Sequence, residues 1–153
     1  GADCTATLAL DAAEAALQKN RFVPCGATQP QSAGWVSPRG VEGAPLVESV
    51  GGEWLMRLMV EQRIVPGAVV KQRTDEIADQ IEQSTGRRPG RKQTRELKDQ
   101  ALLELLPQAF TKRASVNVWL SPAGGWLVVD TGSGSRADGV VTRLVQARDG
   151  LAV

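Results

Sequence analysis

The segment Val128-Val-Asp-Thr-Gly-Ser133 contains the residues with the clearest potential for chemistry. An aspartate that follows apolar residues and precedes Thr-Gly-Ser is typical of aspartic proteases, in which two carboxylates about 3 Å apart share one proton. Such an enzyme needs further β-structure after this motif, to form a flap and a bracing loop. Residues 136–147 instead have helical periodicity. We therefore interpret Asp130 as the end of a strand and assign it no catalytic role.

A second group of carboxylates, Asp75, Glu76 and Asp79, could in principle hold Mg²⁺ in a nuclease. The same three residues fall on the solvent side of an amphipathic helix, where an exposed charged face is the simpler explanation. The chain contains no His, the commonest general base and metal ligand. The sequence therefore predicts a protein that is not an enzyme and that has no metal site and no cofactor.

The most polarised part of the chain is residues 87–98, where six of twelve residues are basic and one is acidic. A helix that begins near Arg91 or Lys92 places Arg91, Arg95 and Lys98 at positions i, i+4 and i+7, which share one face. The candidate DNA-binding residues of this region are Arg87, Arg88, Arg91, Lys92, Arg95 and Lys98, and the preceding helix adds Lys71 and Arg73.

Two interpretations of this basic segment stay open. Cations in the first turn of a helix oppose its macrodipole at about 0.3–1 kcal/mol each, which favours a surface that meets an anion. The alternative is a solvated tip that carries charge without binding anything. No aromatic residue interrupts the segment, and this favours contacts with the phosphates of a duplex over stacking on single strands.

Length and composition limit the remaining possibilities. The chain has 153 residues and a net charge of +1, so affinity for nucleic acid must depend on where the charges lie. Cys4 and Cys25 lie 21 positions apart without a CxxC pattern, and we interpret them as reduced thiols of a cytosolic protein rather than a disulfide. No apolar run approaches the roughly 20 residues of a membrane span, so we expect no membrane partner.

The periodicity of the sequence predicts an α+β fold, with antiparallel β-hairpins backed by helices and a projecting αα-hairpin. We expect Trp54 and Trp126 to be buried strand residues, and Trp35 to lie in an ordered loop. The expected helices are 7–19, 69–83, 92–106 and 136–147; the expected hairpins are 47–64, with its turn at Gly51-Gly52, and 115–130; and the loop is 22–43. The corresponding division is an N-terminal part of the body (1–66), a helical hairpin with a basic tip (67–107) and a second hairpin-plus-helix part (108–153).

Four sequence blocks occur in an order that resembles a known family. They are Phe22-Val-Pro-Cys-Gly26, Gln31-Ser-Ala-Gly-Trp-Val-Ser-Pro-Arg-Gly40, Glu61-Gln-Arg-Ile-Val-Pro66 and Leu105-Leu-Pro-Gln-Ala-Phe110. Together they resemble the bacterial recombination-associated RdgC family. The resemblance covers the whole chain and corresponds to the N-terminal half of the family without its first strand.

The resemblance implies a protein that binds duplex DNA without sequence preference, as a ring-shaped homodimer, and that restrains a RecA-type recombinase at the nucleoid in the cytoplasm. It also implies that Phe110 contacts the partner subunit, whereas the residues alone favour a core position for this side chain. Two alternatives remain. One is a DNA exonuclease, a label that the family carries, and the other is a protein-interaction module without affinity for DNA.

Overall fold

The computed structural model describes residues 2–131 and 134–151 of the chain. About 44% of the residues are helical and 29% lie in strands of an antiparallel sheet, so the predicted α+β class is confirmed. The elements in chain order are α1 (Ala2–Gln18), β1 (Gln31–Val36), β2 (Glu48–Val50), β3 (Glu53–Ile64), α2 (Gly67–Thr85), α3 (Arg91–Leu105), a 3₁₀ turn (Leu106–Gln108), β4 (Phe110–Ser121), β5 (Trp126–Asp130) and α4 (Gly134–Leu151).

The five strands of the sheet are ordered β1-β3-β4-β5, and β2 pairs with β3 outside this path. The predicted hairpin at Gly51-Gly52 is confirmed, since Val50 lies opposite Glu53 across the turn. Both glycines have positive φ, 60° and 84°, which is the geometry that a two-residue turn of this kind requires and that glycine adopts without strain. The second predicted hairpin is β4-β5, with Ser121 opposite Trp126.

The described residues divide into two compact units. The first unit comprises the residues up to Pro24, Ala33–Val60 and the residues from Arg113 onwards. Its core contains apolar residues from two helices and several strands, because each element exposes one apolar face that must be covered. Its buried members include Ala16 and Leu17 of α1, Trp35 of β1, Met56 and Leu58 of β3, Val116 and Val118 of β4, and Val140 of α4.

The second unit comprises Cys25–Ser32 and Glu61–Lys112, and α2 and α3 pack against each other within it. The apolar stripes of the two helices face each other, with Val70 and Ile77 of α2 buried together with Leu97 and Ala101 of α3. Both helices have the expected spacing of apolar residues at three and four positions. Each predicted boundary of these two helices lies within two residues of the observed one.

Three details of the sequence interpretation were wrong. The expected loop 22–43 contains β1, and Trp35 is a buried residue of that strand. Helix α1 begins at Ala2 rather than at residue 7. Trp126 is 41% exposed, since β5 is an edge strand whose alternation turns Trp126 away from the side on which Val129 packs against the core.

Asp130 is the last residue of β5, opposite Asn117 of β4 and exposed, as expected for an aspartate that ends a strand. The Gly-Ser dipeptide that follows Thr131 lies outside the described residues. Cys25 is a free thiol. Among the described helices, none has both the length and the apolar character that crossing a bilayer requires.

Candidate nucleic-acid interface

The link between α2 and α3 is built from glycines at its two ends. Gly86 ends α2 in the left-handed conformation, with φ at 74°, and its N–H donates to Glu82 O at 2.7 Å. A residue with a side chain would be strained there, which explains the glycine. Gly90 then precedes α3 in an extended conformation, and its carbonyl accepts the first helical hydrogen bond, from Thr94 N–H at 2.9 Å. Helix α3 therefore begins at Arg91.

The start of α3 has no feature that offsets its positive end. Gly90 offers no side-chain cap, and the first turn contains no acidic residue. The N–H groups of Arg91, Lys92 and Gln93 have no intrahelical acceptor by the geometry of an α-helix, and together they give this end partial positive charge. Two cations in the same turn add full charges to it. This concentration of positive charge destabilises the start of α3 when nothing is bound to it and favours the binding of an anion beside it.

Five cations form what we call the cation row: Arg87 of the link and Arg91, Lys92, Arg95 and Lys98 of α3. All five side chains are exposed, and within residues 2–131 and 134–151 none of them makes an ion pair. Leu97 and Ala101 occupy the opposite side of α3 and pack against α2. The helix thus presents one face to its neighbour and leaves the cations to solvent.

Two other predicted DNA-binding cations are already paired. Arg88 NH1 lies 2.9 Å from both Asp79 Oδ1 and Glu82 Oε2, and these hydrogen bonds, the one to Asp79 first, raise the pKa of its guanidinium. Arg73 Nε lies 2.8 Å from Glu104 Oε2 of α3, and this hydrogen bond is the main cause of its raised pKa. Each cation would have to give up a carboxylate in order to bind a phosphate.

The remaining sequence candidates are dispersed. Lys71 is exposed on α2 without an ion pair in the described part of the chain. Of the acidic residues considered as a nuclease site, Glu76 and Asp79 are engaged by arginines, and Asp75 is exposed. Over the described ranges, with their gap at 132–133, no group of three His, Cys, Asp or Glu side chains is arranged to hold a metal ion.

Phe110, the first residue of β4, is 87% exposed. The expectation that it packs in the core is therefore wrong. Single exposed apolar residues are common on protein surfaces, so the exposure of Phe110 alone assigns it no role. Its assignment to a subunit contact stays a prediction.

The sequence interpretation missed the carboxylate partners that divide the cations into two groups. The pair of Arg73 with Glu76, at 3.2 Å, has the i, i+3 spacing that a helical pattern can reveal. The pairs of Arg88 with Asp79 and of Arg73 with Glu104 join residues nine and thirty-one positions apart. No local pattern signals these pairs, because they depend on how the link folds and how the two helices pack.

The fold and the cation row define an α+β protein with an exposed basic helix start in its second unit. Over residues 2–153 the chain matches the family described as "Putative exonuclease, RdgC", and it belongs to this RdgC family. It is 45% identical over 133 residues to a protein named recombination-associated protein RdgC from Dechloromonas aromatica, and 42% identical over 145 residues to the protein of the same name from Cupriavidus necator. These matches cover 87% and 95% of this chain but 43% and 48% of the relatives, so the chain spans less than half of their length.

Proposed function

We propose that the chain binds duplex DNA through the phosphate backbone, without sequence preference, and that the cation row makes the contacts. The observation that carries this proposal is the separation of charges on the α2-α3 pair. Arg73 and Arg88 are neutralised by carboxylates, whereas five exposed cations of the described chain cluster without a counter-charge at a helix start. A cluster of this kind attracts an anion and selects phosphate by charge and hydrogen bonding rather than by base identity.

The spacing of the cation row suits a nucleic-acid backbone. Arg91 and Lys98 are seven residues apart, which corresponds to about 10 Å along a helix axis. The phosphates of one DNA strand rise by about 3.4 Å per nucleotide along the duplex axis, so a helix aligned with that axis would span about three of them. A single face with Arg91, Arg95 and Lys98 can therefore contact consecutive phosphates, and Arg87 and Lys92 lie beside the same helix end.

Phe110 extends the proposal to assembly. We propose that it contacts a second copy of the protein, and that the full-length homodimer encloses duplex DNA and so limits the access of a RecA-type recombinase. The curated relatives are named for an association with recombination, which agrees with a role on DNA. The high exposure of Phe110 supports a contact that forms only when a partner is present.

A binding titration at two salt concentrations tests the proposal. Five phosphate contacts predict a slope of log affinity against log salt near −4.5, at about −0.9 per contact. Raising the salt from roughly 50 to 200 mM should then weaken binding a few hundredfold. Two duplexes of unrelated sequence should give the same slope. Absence of binding at the lower salt concentration would support a protein-interaction module instead.

A second arm of the same experiment tests the exonuclease alternative. The chain is incubated with end-labelled linear duplex in the presence of Mg²⁺, and the length of the DNA is measured over time. We expect the DNA to stay intact. Progressive shortening that a chelator stops would contradict the proposal of a binding protein without catalysis.

A further inference from the structure

Arg63 of β3 makes an unusual number of contacts within the second unit. Its guanidinium donates to four backbone carbonyls: from Nε to Gly26 O at 3.1 Å, from NH2 to Cys25 O at 3.3 Å, and from NH1 to Leu106 O at 3.1 Å and Ala109 O at 3.4 Å. Its own backbone N–H donates to Pro30 O at 2.9 Å. One side chain thus joins the strand to the 25–30 loop and to the turn after α3.

The chemistry of these contacts explains why an arginine stands at this position. The turn Leu106–Gln108 follows α3, and Leu106 O accepts the N–H of Ala109 at 3.1 Å, which leaves its second lone pair for Arg63. A planar guanidinium offers five N–H donors in a fixed fork, so it can satisfy carbonyls on two separate segments at once. Lysine has a single nitrogen at the end of a flexible chain and cannot reach both segments in the same geometry.

The 25–30 loop is held from a second direction. Glu61, two residues before Arg63, is buried, and its Oε1 accepts the N–H of Cys25 at 2.8 Å. Glu61 and Arg63 of β3 therefore both hold the 25–30 loop. Arg63 also binds the turn that precedes Phe110, through the carbonyls of Leu106 and Ala109. Phe110 follows Ala109 directly, at the start of β4.

Phe110 cannot fix its own position, because its side chain is almost fully exposed and has little to pack against. Its direction therefore depends on the backbone on either side of it, which is the turn that precedes it and the strand β4 that it begins. We infer that Arg63 is a positioning residue for the subunit contact of Phe110: by tying the Leu106–Ala109 turn to β3 and to the 25–30 loop, it holds Phe110 ready for the partner. This inference rests on the proposed role of Phe110 at a subunit contact.

A double-mutant cycle on dimer affinity tests the inference. The dissociation constant of the dimer is measured by sedimentation equilibrium for the wild type, Arg63→Gln, Phe110→Ala and the double variant. Phe110→Ala should weaken the dimer by roughly thirtyfold or more, as a central aromatic contact does, and Arg63→Gln by roughly tenfold. If Arg63 acts through Phe110, the double variant should dimerise no more weakly than Phe110→Ala alone.

Arg57→Gln is the matched control. Arg57 lies on the same strand, is half-buried, and donates from Nε to Asn117 Oδ1 of β4 at 2.8 Å, so its side-chain hydrogen bond joins two strands of the sheet. We expect its dimer affinity to equal that of the wild type. Arg63→Lys retains the charge without the fork and serves if Arg63→Gln does not fold; it should also weaken the dimer, and only in the presence of Phe110.

The outcomes distinguish the positioning role of Arg63 from the proposed subunit contact of Phe110. A full-length protein that stays monomeric, or a full-length Phe110→Ala variant with unchanged dimer affinity, would overturn the subunit contact itself. The positioning role of Arg63 is overturned in two cases, provided that Phe110→Ala weakens the dimer and that melting curves show the Arg63 variants to be folded. In the first case the Arg63 variants leave the dimer affinity unchanged. In the second, Arg63→Gln weakens the dimer as much in the Phe110→Ala background as in the wild type.

Discussion

Arg87 and Arg88 are neighbours in the same link, yet their surroundings differ completely. Arg88 is held by Asp79 and Glu82 of α2, whereas Arg87 is exposed and makes no ion pair in the described part of the chain. A cation whose charge is already balanced neutralises little phosphate charge, so its binding releases few of the counterions condensed on the DNA. The number of basic residues in a segment therefore overstates the charge that the segment offers to a ligand.

The same contrast separates the two helices. Arg73 of α2 binds Glu76 of the same helix and Glu104 of α3, and Arg88 of the link binds Asp79 and Glu82 of α2. Helix α3 concentrates its unpaired cations in its first two turns, where the helix dipole has the same sign. A helix selected for stability alone would carry acidic residues in place of the cations in its first turn. The difference indicates that α2 supports the pair structurally, while the start of α3 is available for a ligand.

The largest effect should follow the loss of the whole cation row. Replacing Arg87, Arg91, Lys92, Arg95 and Lys98 with Gln removes about five phosphate contacts, so the salt slope should approach zero and affinity near 50 mM salt should fall roughly a thousandfold or more. Because all five side chains are exposed, the melting temperature should stay close to that of the wild type. Retention of a steep slope in this folded variant would place the DNA surface elsewhere.

The neighbouring arginines provide a matched pair of single changes. Arg87→Gln should make the slope shallower by about 0.9, because an unpaired cation is lost. Arg88→Gln should change it much less, because Asp79 and Glu82 already balance that charge. Both slopes are measured on one duplex over the same salt range. Equal losses would show that the ion pairs of Arg88 open when DNA binds.

Releasing Arg88 should have a smaller and opposite effect. The double substitution Asp79→Asn and Glu82→Gln removes both partners of Arg88, which could then join the cation row as a sixth contact. We expect the slope to steepen by up to about 0.9. Adding Arg88→Gln to this variant should restore the wild-type slope. If the slope does not steepen, the position of Arg88, and not its pairing, keeps it from the DNA.

The smallest effects concern stability and its pH dependence. The hydrogen bond from Arg73 lowers the pKa of Glu104, so the pair stabilises the fold above the ordinary pKa of Glu and loses this contribution as the pH falls through the lowered value. Arg73→Gln should reduce the melting temperature slightly at neutral pH and not at all in strong acid.

Arg91→Gln should raise the melting temperature slightly, since a cation at a helix start is removed. Melting curves of both variants at the two pH values check these signs.

Much of the fold could be predicted because local patterns specify it. The Gly51-Gly52 turn, the stripes of α2 and α3 and the strand that ends at Asp130 each follow from residue type and spacing. The strand with Trp35 was missed because its flanking Gly, Pro and Ser residues are typical of loops, and its place beside β3 depends on long-range pairing. Trp126 was misplaced because its apolar character says nothing about the edge position of β5.

The candidate site was predictable only in part. The sequence identifies the basic segment and the face shared by Arg91, Arg95 and Lys98, because helical spacing fixes both. It does not show which cations are neutralised, since Asp79 and Glu104 reach their partners through tertiary packing. Arg63 gives no sequence signal of its contacts, because all four side-chain acceptors are backbone carbonyls of distant segments.

The most direct test of the central claim compares the salt slope of the wild type with that of the double variant Arg91→Gln and Arg95→Gln, on two duplexes of unrelated sequence. The account predicts a wild-type slope near −4.5 and a slope shallower by about two units in the variant, with the same values on both duplexes. The melting temperature should be unchanged or slightly higher. Equal slopes for the two folded proteins would contradict the account and leave the cation row as a solvated surface.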